Sequence, residues 1–388
     1  MKTDFVTIKG KQFVDPNGRP LLLKGIGLGN WLLPEGYMLR FKRANSPRLI
    51  NEVICQLVGE EAARDFWRSY RDDYITKEDI QLLARVGFNS VRVPFNFRLL
   101  VTEGDSPALE GVGYELLDLV IRWCREENLY VVLDMHAAPG GQTGDNVDDS
   151  WGYPFLFESA ASQELTISLW QKLADRYKLE PAVIGYDLLN EPIAPYFDKA
   201  QLNPKLEPLY KRIVAAIRRV DPNHVVFMEG AQWGSRFEMF GLPFDDKVAY
   251  SFHKYWTEPT QAVIQSYLDF GAKYNVPLWM GESGENHDEW ISRFRTMLEQ
   301  NDVGWCFWPY KKMSPTRCIA SIPKSGDWDA VIAFSELPRA SFEEIRNSRL
   351  PRDTAMKALN NLLEGIKLEN CAINEGYLQA LGLMTGSR

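Results

Sequence analysis

The sequence predicts an α/β fold: a single (β/α)8 TIM barrel with an N-terminal β-hairpin and loop insertions on its C-terminal rim. Three observations predict it. Eight short, nearly continuous apolar runs recur along the 388 residues, and strands buried on both faces read that way. Amphipathic stretches of helical length separate them. Two of the runs lead straight into a glutamate followed by turn residues, at the strand end where barrels carry their chemistry.

The elements follow in order. Phe5 to Leu23 reads as a β-hairpin about Asp15-Pro16-Asn17-Gly18, a turn signal between two apolar runs. The eight runs are Leu21–Gly29, Phe88–Pro94, Leu129–His136, Val183–Glu191, His224–Gly230, Val248–Tyr255, Pro277–Glu282 and Gly304–Tyr310. Tyr114–Glu127, Glu164–Tyr177 and Leu209–Arg219 carry apolar residues at helical spacing. Two insertions break the rhythm: Leu33 to about Arg71 after the first strand, and Pro139 to about Phe157, rich in Gly, Asp and Asn, after the third. Both belong on the C-terminal rim. Asp353 to about Leu383 reads as helical. No linker, internal repeat or low-complexity tract is visible, so residues 1–388 are read as one domain, with 1–20 an N-terminal hairpin and 353–388 a C-terminal helical closure.

Composition excludes several classes of function. With 45% hydrophobic residues the chain has an ordinary globular core. Its net charge of −8 and the lack of a dense Lys/Arg block exclude a nucleic-acid partner, which needs a basic face. The five cysteines are odd in number and form no Cys-x-x-Cys, so neither a disulfide framework nor a zinc site is indicated. No apolar run reaches membrane-spanning length and Met1–Ile8 lacks a secretory core. The expectation is a soluble protein, either cytoplasmic or secreted with its leader removed. The oligomeric state is left open and is compatible with a monomer.

The two glutamates are Glu191, in Val183-Ile-Gly-Tyr-Asp-Leu-Leu-Asn190-Glu191-Pro192, and Glu282, in Val276-Pro-Leu-Trp-Met-Gly281-Glu282-Ser283. Paired carboxylates on different barrel strands suit glycoside hydrolysis, where one donates a proton while the other attacks or activates water. Taken alone, a glutamate before proline such as Glu191 reads more readily as a strand-end surface residue than as a catalytic one.

Further residues make the pattern specific. Asn190-Glu191-Pro192 follows the fourth run, His253-Lys254-Tyr255 the sixth and Gly281-Glu282 the seventh. Arg92 in Val91-Arg92-Val93-Pro94, His136 in Asp134-Met135-His136 and Trp308 occupy the second, third and eighth. In this order the motifs resemble glycoside hydrolase family 5, a family of retaining barrel hydrolases, over about Gly10 to Lys311. Gly27-Leu-Gly-Asn-Trp31 and His136-Ala-Ala-Pro-Gly-Gly-Gln142 are further similar to the branch with exo-β-1,3-glucanases, while Thr143–Trp151 and Leu33–Tyr37 depart from it.

The resemblance implies roles. Glu191 is the acid/base and Glu282 the nucleophile. Arg92 holds Glu282 by charge-assisted hydrogen bonds, Tyr255 donates to it, and Asn190 binds the sugar 2-OH. His253 and His136 bond Glu191 or sugar hydroxyls, and Trp308 is an apolar floor. Trp31, Trp233, Trp151 and Trp256 are rim candidates for further subsites, and Glu35, Asp145 and Asn146 candidates for a terminal sugar. A metal site from His136 and His253 is disfavoured by the lack of a third ligand at a recognisable spacing. No cofactor is implied, since carboxylates and water suffice. Gly25-Ile-Gly27-Leu-Gly29 lacks the dinucleotide-binding spacing, and Gly281-Glu-Ser283-Gly284 is not a nucleophile elbow.

The implied function is a retaining β-glycosidase acting on a β-glucan or β-glucoside, exo-β-1,3-glucanase-like if the insertions wall the cleft into a pocket. The partner is an oligosaccharide, polysaccharide or β-glucoside substrate. The alternatives are another β-linkage (mannan, a glucosylated lipid or aglycone) and an inactive carbohydrate-binding barrel.

Overall fold

A computed structural model describes residues 4–102, 108–314 and 316–383, so the extremes of the expected hairpin (1–3) and of the C-terminal closure (384–388) lie outside the described residues. The chain opens with a three-stranded antiparallel sheet, β1 (Thr7–Lys9), β2 (Gln12–Val14) and β3 (Pro20–Leu21). The single hairpin expected from Phe5 to Leu23 is thus a meander with two turns. The additional turn is a two-residue loop in which Gly10, at φ 59°, takes the left-handed backbone that tight hairpins require. At the expected turn, Asp15 accepts from the backbone N–H groups of Asn17 (2.8 Å) and Arg19 (2.9 Å).

Eight parallel strands then close a barrel: β4 (Lys24–Gly27), β5 (Ser90–Asn96), β6 (Tyr130–Ala137), β7 (Val183–Asp187), β8 (Val225–Glu229), β9 (Val248–His253), β10 (Leu278–Gly284) and β11 (Gly304–Trp308). Each overlaps one of the eight apolar runs; β5, β6 and β10 continue one or two residues past the end of theirs, and the other five are shorter than their runs. The fourth run loses most at its C-terminal end. β7 stops at Asp187, so Glu191 lies four residues past the strand rather than at its end.

The first insertion folds into helices Pro47–Val58 and Glu60–Tyr74, whose apolar faces join the main core through Ile54, Leu57, Phe66 and Tyr70. Lys77–Val86 then precedes β5, its start fixed by a capping box between Thr76 and Asp79. One helix is longer than its sequence signal. It begins at Lys199, ten residues before Leu209, because Asp198 caps it and Leu202, Leu206 and Leu209 bury one face; Pro204 and Pro208 lie inside it. The C-terminal stretch is helical at Arg352–Gly365 and Glu375–Ala380. Between these helices Ala372–Ile373 pairs with Ala320–Ser321, a short strand that the helical expectation lacked.

The N-terminal sheet closes the lower end of the barrel. Val6 and Phe13 pack with Leu23, Val132, Ile184, Val225, Phe227, Ala249, Trp279 and Cys306 as a second apolar cluster inside the strands. All five cysteines are free thiols, and among the described residues no helix is long and apolar enough to cross a membrane.

Candidate active site

Alternation along the strands lifts polar side chains above that apolar plug. On β6 the inward series runs Val132, Asp134, His136; on β8 Val225, Phe227, Glu229; on β9 Ala249, Ser251, His253; and on β11 Cys306, Trp308. β10 departs from this period. Trp279 joins the plug and Gly281 also faces inward, yet the next inward side chain is Glu282, three positions on, because the register shifts after Met280 against both neighbours. This bulge turns the glutamate inward. Gly281 sits in it, and a Cβ there would meet Ser251 Oγ at 2.2 Å.

Arg92, buried on β5, is the hub of the upper layer. Its Nε donates to Asp187 (2.9 Å) and Nη1 to Glu282 Oε2 (2.8 Å). Nη2 donates to Asn190 Oδ1 (2.8 Å) and Glu229 Oε1 (3.0 Å) and lies 3.1 Å from Asp134. A buried guanidinium persists only when paired, and here the pairing is saturated. Burial and the charge of Glu229 push the Asp187 carboxyl well above the usual range. Burial opposes the Glu229 carboxylate too, but His253 and Arg92 outweigh it and hold Glu229 below its ordinary value.

The two glutamates are held differently. Glu282 accepts from Arg92 and, at 2.7 Å, from Tyr255 Oη, the contact expected of Tyr255. Glu191 sits on a left-handed residue, φ 49°, whose backbone N–H donates to Glu229 Oε2 at 2.7 Å. Its side chain meets His253 Nδ1 at 2.9 Å. Burial raises the Glu191 carboxyl, the contact with His253 opposes this, and the charges of Glu282 and Glu229 add to it. One oxygen of each glutamate and one nitrogen of His253 lie within 4.8 Å of one another.

That trio could converge on a cation. His253, however, has Nε2 3.0 Å from Glu229 as well as Nδ1 on Glu191, and although burial opposes its charge, Glu229 and Glu282 hold its pKa well above the ordinary value. It offers N–H groups rather than a lone pair, so the donor set fits a charge-paired cluster better than a metal. His136 does not reach Glu191. Its Nδ1 is 2.7 Å from Asp134 and its Nε2 3.3 Å from the Asn190 amide.

These groups face a pocket of about 680 Å³, within the usual range for ligand sites. Trp308 forms one wall, its ring stacked on His136 (centroids 5.5 Å apart, 3° between planes) and its Nε1 donating to Tyr37 Oη at 2.8 Å. Gly27 and Gly29, set aside as a decoy in the sequence, make room for it: a Cβ on Gly29 would lie 2.3 Å from the indole. Tyr37 Oη donates to Glu285 (3.2 Å), which is paired with Lys312. None of these three was foreseen. Glu35 lines the pocket, 4% exposed with one oxygen unpartnered, and burial pushes its carboxyl up to about 8.

Both insertions supply walls, the first through Glu35 and Tyr37 and the second through Asp145, Asn146 and Val147. The second loop is built around Asp148, whose carboxylate accepts from the N–H groups of Thr143 (2.7 Å), Gly144 (2.9 Å) and Ser150 (3.0 Å). Trp233 and Trp256 stand at the mouth, both with left-handed backbones (φ 58° and 51°).

Trp31 is not brought to the site. It is 1% exposed, its indole N–H donates to Arg71 O at 2.8 Å, and it belongs to the core shared with the first insertion's helices. Trp151 lies outside the main pocket. Besides Tyr37, Glu285 and Lys312, sequence reasoning missed Asp134, Asp187 and Glu229. Their signal was a carboxylate near the end of three consecutive apolar runs, with the Arg92 guanidinium facing all three.

The site can be set beside known proteins. A family model described as Cellulase (glycosyl hydrolase family 5) matches residues 53–314. A β-xylosidase of Phanerodontia chrysosporium is 30% identical over 290 residues, covering 74% of this chain and 59% of that protein. Glucan 1,3-β-glucosidase I/II of Saccharomyces cerevisiae is 31% identical over 208 residues, covering 50% of this chain and 46% of the yeast protein. Both relatives extend well beyond the matched part. Among solved structures, Cel5A of Thermotoga maritima in complex with cellobiose aligns with a TM-score of 0.54 at 18% identity over 81% of this chain and 97% of that one, a likeness of fold.

Proposed function

The chain belongs to glycosyl hydrolase family 5, and from that premise we propose that it is a retaining β-glycoside hydrolase working by double displacement. The observation that carries the reading is the separation of the glutamates, with one oxygen of each within 4.8 Å. Retaining enzymes hold their carboxyl groups about 5 to 5.5 Å apart, whereas inverting ones leave room for a water between them.

In the first step Glu191 gives its proton to the glycosidic oxygen as that bond breaks, and a Glu282 oxygen attacks the anomeric carbon to form an ester. Arg92 and Tyr255 aim that carboxylate. In the second step Glu191, now ionised, takes a proton from water, which attacks the same carbon and frees Glu282. The change of role has an electrostatic cause. The charge of Glu282 helps raise the Glu191 carboxyl and is absent in the ester, so the group that was an acid becomes a base. Asn190, fixed by Arg92, is assigned to the sugar 2-OH, and Trp308 to the apolar face of the ring being cleaved.

For the substrate we propose a β-glucan or β-glucoside, taken as a short molecule or a chain end because both insertions add walls to the pocket. A β-xyloside is the second reading, favoured by the β-xylosidase relative. The test is release of aryl leaving groups from a panel of β-glycosides by wild type, Glu191→Ala and Glu282→Ala, each with azide. The expected products are a β-glycosyl azide from Glu191→Ala and an α-glycosyl azide from Glu282→Ala. Azides of the same configuration from both, or none from either while wild type is active, would sink the assignment.

A further inference from the structure

Beyond the pocket, exposed aromatic side chains lie along one arc of the rim. Trp233, at the mouth, is 38% exposed, and Tyr196 stands against its edge (centroids 6.1 Å apart) while being 61% exposed. The Tyr196 hydroxyl donates to Asp145. Asp145 and Asn146 form a narrow turn that lines the main pocket on one side and a second hollow, of about 260 Å³, on the other. In that second hollow Trp151 is 69% exposed and is braced by the Arg48 guanidinium 3.8 Å from its ring centre.

The hollow also has polar potential. Ser46 lines it and occupies the N-cap of Pro47–Val58, yet its hydroxyl caps nothing and has no partner. Arg48 ties the first insertion to the second: its backbone N–H donates to Asp149 (3.0 Å) and its Nη2 to Ser150 O (3.1 Å), while its Nε has no partner. Single exposed aromatics are ordinary on protein surfaces. Successive ones leading from a catalytic mouth into a hollow with an unpartnered hydroxyl are a different observation. Flat indole and phenol faces, held upright by neighbours, suit the apolar faces of neutral sugar rings.

We propose that the arc from Trp233 over Tyr196 to the hollow beside Trp151 is a binding track for the part of a neutral β-glycan chain that lies outside the cleavage pocket. The inference rests on the glycosidase reading of the pocket, and it adds that the substrate extends beyond the rings the pocket encloses. The track makes Trp151 and Tyr196 specificity-determining residues for long substrates.

The experiment compares kcat/KM on a long β-glucan with kcat/KM on an aryl β-glycoside of the same sugar, for wild type, Trp151→Ala, Trp151→Phe and Tyr196→Ala. In both alanine variants the polymer-to-aryl ratio should fall about tenfold, the size of one good stacking contact, and Trp151→Phe should recover most of it. A ratio within twofold of wild type in both alanine variants overturns the track. So does an equal loss on both substrates, which would mean that the changes act on the pocket through Asp145. If wild type cleaves no glycoside, the reading of the pocket has failed while the track stays testable by native electrophoresis through gels containing β-1,3-glucan, β-1,4-glucan, xylan or mannan. Retardation of wild type by one of them, lost in a Trp151→Ala/Tyr196→Ala double variant, supports the track. No retardation by any, or retardation equal in the double variant, overturns it.

Discussion

The two halves of the barrel interior are built from the same strands and could hardly differ more. The lower half is an apolar plug of Val132, Phe227, Trp279 and Cys306 under Phe13. Two or three residues further along the same strands, Asp134, Glu229, Asp187 and Glu282 surround Arg92. A buried plug tolerates imperfection, since a lost methylene removes contacts and leaves a small void. A buried charge cluster does not, because removing one partner leaves the opposite charges undercompensated. Folding therefore rests on the lower half in small increments, and catalysis on the upper half almost all at once.

The sharpest way to break this contrast is Arg92→Met beside Phe227→Leu. Arg92→Met should destabilise by about 3 to 5 kcal/mol and abolish activity, since it strands several buried carboxylates. Phe227→Leu should cost about 1 to 2 kcal/mol and leave most activity. Urea unfolding followed by circular dichroism measures both, and equal costs would mean that the guanidinium does not hold the upper layer together.

A second test addresses the bulge that aims Glu282. Gly281→Ala places a Cβ against Ser251 Oγ, and the resulting displacement should lower kcat about a hundredfold, as misplacement by about 1 Å can. Ser251→Ala removes the atom in the way, so the double variant should regain much of the loss. A double variant as poor as Gly281→Ala would assign the defect to backbone strain instead.

Glu35 sharpens the comparison from the other side, as a carboxyl near the same cluster with no cation of its own. Its folded pKa is about 8, raised mainly by burial, whereas its unfolded value is near 4.5. Between those values the folded state binds more protons than the unfolded one, so Glu35 lowers stability as pH rises through that window. Glu35→Gln lacks this slope. Its melting temperature relative to wild type should climb from pH 4.5 to about pH 8 and then level off, and a difference independent of pH would contradict a buried acid.

The smallest expected effect concerns the basic limb of the pH–rate profile. Because Glu191 is raised by burial and by its acidic neighbours, activity should fall at a pH above the ordinary carboxylate range. In Glu191→Ala supplied with azide that limb should vanish. A limb that persists unchanged belongs to another group.

Much of this was legible in the sequence, for reasons that differ by residue. The eight apolar runs located every barrel strand, because strands covered on both faces cannot hide their composition. Arg92, Asn190, Glu191, His253, Tyr255 and Glu282 converge because each lies in a barrel strand or in the first four residues after one. Asp134, Asp187 and Glu229 escaped because a carboxylate at a strand end looks solvated until one knows that it faces a guanidinium. Trp31 was misplaced because a tryptophan just past a strand reads as rim, while its true neighbours come from helices in an insertion whose packing no local pattern encodes. Gly27 and Gly29 entered the sequence reading only as part of a motif, because their purpose is the space they leave to Trp308.

The small sheet at the start of the chain has a practical consequence. Val6 and Phe13 seal the barrel at the end opposite the mouth, and Phe5 lies edge-on to His224 (centroids 5.1 Å apart) at the foot of β8. A bead, surface or fusion partner joined ahead of that sheet would therefore sit behind the enzyme, with the opening turned toward the solution. Immobilisation through this end should leave even a bulky polysaccharide free to approach, whereas attachment through the loops bearing Trp151 or Trp256 would shade the entrance.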